Sequence, residues 1–136
     1  MRLFNIYGHD DNTPHFIPEM IKKVKKNDNI LVGNLESTRD YIYIYDVIDA
    51  ILLVIKNNNF NNQIYNLGTG KGTNGMEIIK LIAHFCKKEI LITQDRKLLR
   101  KIDQPKLIAD ITKFSKKYNW FPRYSIEEGL KKICGE

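Results

Sequence analysis

Apolar residues recur along this chain with two different periods, and the alternation between those periods lays out its elements. Arg2 to Tyr7 reads as a strand, closed by the polar turn Gly8-His9-Asp10-Asp11-Asn12. A helix opens near Thr13-Pro14, where a proline suits the first turn. It carries Phe16, Ile17, Met20, Ile21 and Val24 at helical spacing until Asn27-Asp28-Asn29 ends it. Ile30 to Val32 is a short strand, and a second apolar helix runs from Val47 to about Lys56. That helix is apolar enough to be mostly buried. Asn57 to Asn62 is a low-complexity surface loop. Gln63 to Leu67 is the next strand, followed by glycines and a helix from about Met76 to Phe85, with Asn74 and Glu77 spaced as a capping box. Lys88 to Thr93 gives a further strand, and Gln94 to Ala109 has no regular period. Helices near Thr112 to Tyr118 and Ser125 to Cys134 flank the aromatic plug Trp120-Phe121-Pro122. Strands interleaved with helices predict an α/β fold.

The stretch from Leu31 to Val47 organises the rest. After a Gly33-Asn34 turn, Arg39 leads into alternating tyrosines and isoleucines that suit an extended segment buried on both sides. Asp46, standing before an apolar helix, reads as its N-cap. A guanidinium beside so apolar a segment needs an anionic partner, because it cannot shed its charge. Asp40, another carboxylate or a ligand would each supply one.

Composition narrows the classes. The 136 residues amount to one domain's worth of chain. No apolar run is long enough to cross a bilayer. Only two cysteines are present, Cys86 and Cys134, which predicts a reduced, cytoplasmic protein. The formal charge of +6 comes from dispersed lysines, many in pairs such as Lys22-Lys23 and Lys116-Lys117. Those pairs read as solvated helix faces rather than a nucleic-acid surface.

Two motifs suggest other chemistry. Gly70-Lys71-Gly72-Thr73-Asn74-Gly75 satisfies G-x-G-x-x-G between a strand and a helix. It would make a small dinucleotide-binding module, with backbone N–H groups and a helix N-terminus facing a pyrophosphate. Such a module needs further parallel strands downstream, and none follows Thr93, so a tight turn is the alternative. His9-Asp10-Asp11 and His84-Phe85-Cys86 hint at metal binding. The first is a polar turn, and the second puts its two ligands on different sides of a helix, so no full ligand set converges.

Seven segments, spread over nearly the whole chain, carry a family resemblance. Arg39-Asp40-Tyr41-Ile42-Tyr43-Ile44-Tyr45-Asp46-Val47 resembles the R-D-[YF]-[IV]-x-V-x-D-[VLA] signature of the extended short-chain dehydrogenase/reductases that act on nucleotide sugars. Arg2-Leu3-Phe4-Asn5-Ile6-Tyr7-Gly8 resembles that family's R-x-F-N-[VI]-Y-G strand, and Tyr65-Asn66-Leu67-Gly68-Thr69-Gly70 its Y-N-[LI]-G-[TS]-G strand end. Ala109 to Lys113, Asn119 to Pro122 and Ser125 to Leu130 resemble its closing segments. Leu99-Arg100-Lys101-Ile102-Asp103 resembles its R-x-x-[DE] element, in a form nearest the GDP-mannose 4,6-dehydratase-like branch.

The resemblance implies a small substrate-binding domain with short parallel strands and helices. Two strands of an incomplete Rossmann sheet, Arg2–Tyr7 and Gln63–Leu67, would join it in a single domain over residues 1–136. By the same resemblance the ligand is a nucleotide diphosphate sugar. Asn5 would bind its sugar-diphosphate portion, Phe16 and Ile17 would line the nucleotide pocket, and Leu31 and Val32 would form the strand under the base. Arg39 and Arg100 would grip the pyrophosphate, whose oxygens suit a planar fork of donors, and Asp103 would accept from the ribose.

Family members transform such sugars with NAD or NADP through a Tyr-x-x-x-Lys pair. No tyrosine here has a lysine four residues on, and the family's cofactor glycines precede the Arg-x-Phe-Asn strand. The resemblance therefore covers the carboxy-terminal part. His9 also stands where the family has proline near the cofactor. The chain alone is expected to bind no cofactor and to be inactive. Its expected partners are the sugar nucleotide and a separate cofactor-binding chain, or a further copy of itself in a homo-oligomer. A vestigial, self-associating fragment is the alternative, its two sheet strands lying at an uncovered edge.

Overall fold

A computed structural model describes residues 1–58, 62–99 and 104–135. The expected first strand is broken at Phe4 into β1 (Arg2–Leu3) and β2 (Asn5–Tyr7), which take different partners. Helix α1 (Phe16–Lys26) and strand β3 (Asn29–Val32) follow. The Arg39 segment forms β4 (Thr38–Arg39) and β5 (Tyr41–Tyr43), then passes directly into helix α2 (Ile44–Asn57). Next come β6 (Asn66–Leu67), β7 (Thr73–Asn74), helix α3 (Gly75–Phe85) and β8 (Leu91–Gln94). The stretch expected to be irregular holds a 3-10 turn, Arg96–Leu98, and β9 (Lys106–Leu107). Helices α4 (Thr112–Tyr118) and α5 (Ile126–Cys134) close the chain.

Three parallel pairs build the frame. β1 pairs with β6, Arg2 opposite Asn66; β2 pairs with β5, Asn5 opposite Tyr41; β3 pairs with β8, Ile30 opposite Ile92. β4 joins β7 antiparallel and β9 parallel. Neighbouring residues of a strand face opposite ways, and β5 uses this to divide the interior. Tyr43 enters a core shared by α1, α3, α5 and β3, with Met20, Val24, Ile30, Ile78, Ile82 and Leu130. Ile42 enters a second core under α2, α4 and β6, with Val47, Ala50, Leu67, Phe114 and Trp120. The β2–β5 pair is thus the wall between the two cores.

Three expectations are corrected. Asp46 is not the N-cap of α2: Tyr43 occupies that place, and Asp46 lies in the first turn. Its buried carboxylate instead accepts the backbone N–H groups of Arg123 at 2.9 Å and Tyr124 at 3.1 Å, fixing the approach to α5. Asp49 adds an ion pair to Arg123. Second, α2 is not mostly buried. Val47 and Ala50 face the core, while Ile48, Ile51, Leu52 and Ile55 are 39% to 56% exposed. Third, only Trp120 of the aromatic plug is buried; Phe121 lies on the surface.

The starts of α3 and α5 are set by local capping chemistry. Asn74 and Glu77 form the expected capping box at α3, and Ser125 and Glu128 form another at α5. Among the described residues, no helix is long and apolar enough to cross a membrane.

Candidate functional site

A cavity of about 580 Å³ opens between β2, the first two turns of α1, the end of β3 and the segment entering β4. This is within the size range of small-molecule sites, roughly 300–1,000 Å³. Its walls include Asn5, Phe16, Ile17, Val32 and Arg39, so five of the eight residues singled out in the sequence converge on one hollow. Leu31 does not join them. The alternation along β3 buries Ile30 and Val32 and leaves the Leu31 side chain exposed, so only its backbone is used, as an acceptor for Lys23. Arg100 and Asp103 lie outside the described residues.

Each wall is held by identifiable forces. Asn5 Nδ2 donates to the carbonyl of Asp40 at 2.9 Å, locking β2 to the start of β5. Arg39 Nη1 donates to the carbonyls of Thr38 at 3.0 Å and Gln104 at 2.7 Å, so the fork is fixed by backbone from β4 and from the segment before β9. Asp40 is not the ion-pair partner that Arg39 might have taken. Fully buried, it accepts Thr69 N–H at 2.8 Å, the Thr69 hydroxyl at 2.6 Å, Gly70 N–H at 2.9 Å and Ala109 N–H at 3.2 Å. A buried carboxylate satisfied by several backbone donors needs no cation beside it.

That arrangement also decides the role of the glycine loop. The N–H groups at Thr69 and Gly70 point at Asp40, and Gly70 takes a left-handed φ of 73° to do so. A Cβ on Gly72 would strike Thr38 and Ile108. The loop is a packed turn against β4 and does not fit a dinucleotide pyrophosphate. Tyr7, a further lining residue, is not poised for proton transfer. Burial raises its pKa well above the ordinary phenol value, helped by Tyr43, Asp46 and Glu128. His9 is fastened between the Tyr43 hydroxyl at 3.1 Å and the Lys132 carbonyl at 3.2 Å. Cys134 is pushed up to about 12, by burial first and by neighbouring Cys86 second. Among the described residues, no three His, Cys, Asp or Glu side chains gather as metal ligands would.

Sequence reasoning missed other lining residues, notably Glu19 and Lys23 on α1, Tyr41 on β5 and Leu98 after β8. Glu19 and Lys23 carried a signal, since they share a helical face with Phe16 and Met20. Leu98 carried none, because the 3-10 turn reaches the cavity only through the pairing of β8 with β3.

Several of the proteins that this chain is similar to are named for sugar nucleotides. The family described as GDP-mannose 4,6 dehydratase matches residues 1–133. CDP-abequose synthase of Salmonella muenchen is 33% identical over 98% of this chain and 45% of its own. Among solved structures, UDP-glucose 4-epimerase of Thermotoga maritima, determined with UDP-glucose, is 32% identical with a TM-score of 0.76, over 98% of this chain and 43% of that one. RMD of Pseudomonas aeruginosa, complexed with NADPH, superposes with a TM-score of 0.88 at 22% identity, over 98% and 46%. The chain spans less than half the length of each of these three proteins.

Proposed function

This chain belongs to the GDP-mannose 4,6 dehydratase family of extended short-chain dehydrogenase/reductases, and we propose that it is the nucleotide-sugar-binding portion of such an enzyme, unable to complete the reaction alone. The observation that carries this reading is the convergence of Asn5, Phe16, Ile17, Val32 and Arg39 on one cavity. Apolar side chains there suit the flat faces of a base. Arg39, its fork held by two carbonyls, suits a diphosphate, whose charge and planar oxygen pairs match a guanidinium better than an ammonium.

Catalysis needs groups this sequence does not supply. No Tyr-x-x-x-Lys pair is present, and the glycine loop is committed to Asp40. NAD or NADP, together with the acid–base tyrosine, would come from a cofactor-binding partner chain or from further sequence joined to this one. Here the nucleotide sugar is bound and oriented.

Isothermal titration with GDP-, UDP- and dTDP-sugars tests the reading. At least one should bind, and Arg39→Ala should weaken it by about 10- to 100-fold, as loss of a charge-assisted hydrogen-bonding fork implies. No heat with any of them would end it.

A second reading, association with another copy of this chain, is favoured by α2. Ile48, Ile51, Leu52 and Ile55 make an exposed apolar stripe on it.

A further inference from the structure

Nucleotide binding leaves both cysteines of the chain unused. Cys86 and Cys134 are the only two in the sequence, and both are free thiols. Distant along the chain, they come together in the fold. Cys86 is the C-cap of α3 and Cys134 is the last residue of α5, two helices that pack against each other in the core that also takes α1. Cys134 is a buried member of that core, and half-buried Cys86 packs against it. Thiol faces thiol there, with a side-chain hydrogen bond between the two. Lys25, near the end of α1, brings a cation to the same place.

We propose that Cys86 and Cys134 form a reversible thiol–disulfide site that takes a small-molecule disulfide, glutathione disulfide, as its oxidant and ties the end of α5 to the end of α3. Cys86 acts first, because it reaches solvent whereas Cys134 is 6% exposed. Its thiolate attacks one sulfur of the oxidant, breaks the S–S bond and releases one glutathione, leaving a mixed disulfide on Cys86. Cys134 then gives up its proton, attacks the Cys86 sulfur and expels the second glutathione. Two protein thiols lose two electrons, the oxidant is reduced to two thiols, and the protons of Cys86 and Cys134 end on those thiols. Burial holds the Cys134 proton tightly, so the second step is the slower one, and Lys25 favours the thiolate it needs.

A buried cysteine by itself is an ordinary small apolar residue. Two that meet across a helix pair, each at a helix end, are also a latch. Lys87, directly after Cys86, already takes a left-handed φ of 53°, and Gly135 follows Cys134. The last turns of helices adjust at little cost, so both thiols have the freedom that bond formation asks for. The closed bond pins α5, which carries Gly129 against Tyr7 and accepts the Tyr7 hydroxyl at the Ile126 carbonyl.

Incubation of the chain with glutathione disulfide, read by intact mass and by peptide mapping after free thiols are blocked, tests the assignment. The wild type should lose the mass of two hydrogens and hold no glutathione, with one peptide pair joined through Cys86 and Cys134. Dithiothreitol should restore both thiols. The closed form should melt about 10 °C higher, the order that a cross-link over a long loop gives. Cys134→Ser should stop at the mixed disulfide on Cys86, and Cys86→Ser should take up no glutathione, because its remaining thiol is buried. A wild-type chain that keeps both thiols free, retains glutathione on Cys86 or joins to a second chain through cysteine overturns the proposal, as does a closed form that melts lower than the open one. These four results are read on the wild type, so a variant that fails to fold leaves the test standing. No nucleotide takes part, so the outcome is independent of the nucleotide-sugar reading.

Discussion

Asp40 holds together three segments that are distant in sequence, and it does so without a counter-ion. Its carboxylate gathers Thr69, Gly70 and Ala109 from two different loops around the end of β4. Its own carbonyl takes Asn5. Replacing it with Asn keeps the shape but turns an N–H₂ group toward backbone donors, leaving at least one of them unsatisfied in the interior. We expect Asp40→Asn to cost about 3 kcal/mol, between the penalty for a neutral buried donor and that for a charged one. Urea unfolding measures this directly, and a change below about 1 kcal/mol would contradict the clamp. In the sequence Asp40 stood next to Arg39 and looked like its partner. Adjacency along a strand misleads here, since consecutive side chains leave on opposite faces. Asp46 misled in the same way: it sits where a cap would, but its partners, Arg123 and Tyr124, come from the far end of the chain. Arg39 was legible only in part: its sequence setting asked for an anionic partner, and in the fold its Nη1 donates to the carbonyls of Thr38 and Gln104.

At the scale of elements, the helices were the most readable part. Amphipathic spacing and capping chemistry are local, so α1, α3, α4 and α5 fall within a residue or two of their expected bounds. Three of the two-residue strands were not readable. β4, β7 and β9 have two residues each and exist only because they meet one another. Packing between elements was also invisible, and Gly129 on α5 illustrates it. A Cβ there would run into the Tyr7 hydroxyl oxygen, and Tyr7 is buried in the core shared by α1, α3, α5 and β3. Alanine favours a helix over glycine by about 1 kcal/mol. Displacing a buried tyrosine costs about 1–3 kcal/mol. The clash should win, so Gly129→Ala is expected to lower Tm by about 5 °C. A rise in Tm would show that α5 slides past Tyr7 at no cost.

For the molecule as a whole, β2 and β5 lie between a core built from α1, α3, α5 and β3, on whose side the cavity opens, and a second core under α2, α4 and β6. The sequence announced this division through motifs found in proteins more than twice as long. It could not announce which surface the division leaves bare. The apolar residues of α2 run nearly all the way round the helix, which reads as burial whatever does the covering. In the folded chain Val47 and Ala50 find the core, and Ile48, Ile51, Leu52 and Ile55 stay about half exposed. An apolar stripe of four branched side chains, with exposed Tyr45 one turn before Ile48, is a strong drive to association. We expect the isolated chain to sediment above the mass of a monomer at concentrations of about 50 μM, where a modest apolar interface of micromolar affinity is populated. Ile51→Lys with Ile55→Lys should return it to a monomer without lowering Tm, since both side chains already meet solvent. Titration with the nucleotide should be unchanged, because the cavity is built from α1, β2, β3 and β4 and none of its lining residues lies on α2. A wild-type chain that sediments as a clean monomer throughout would show that α2 tolerates water and would end the self-association reading.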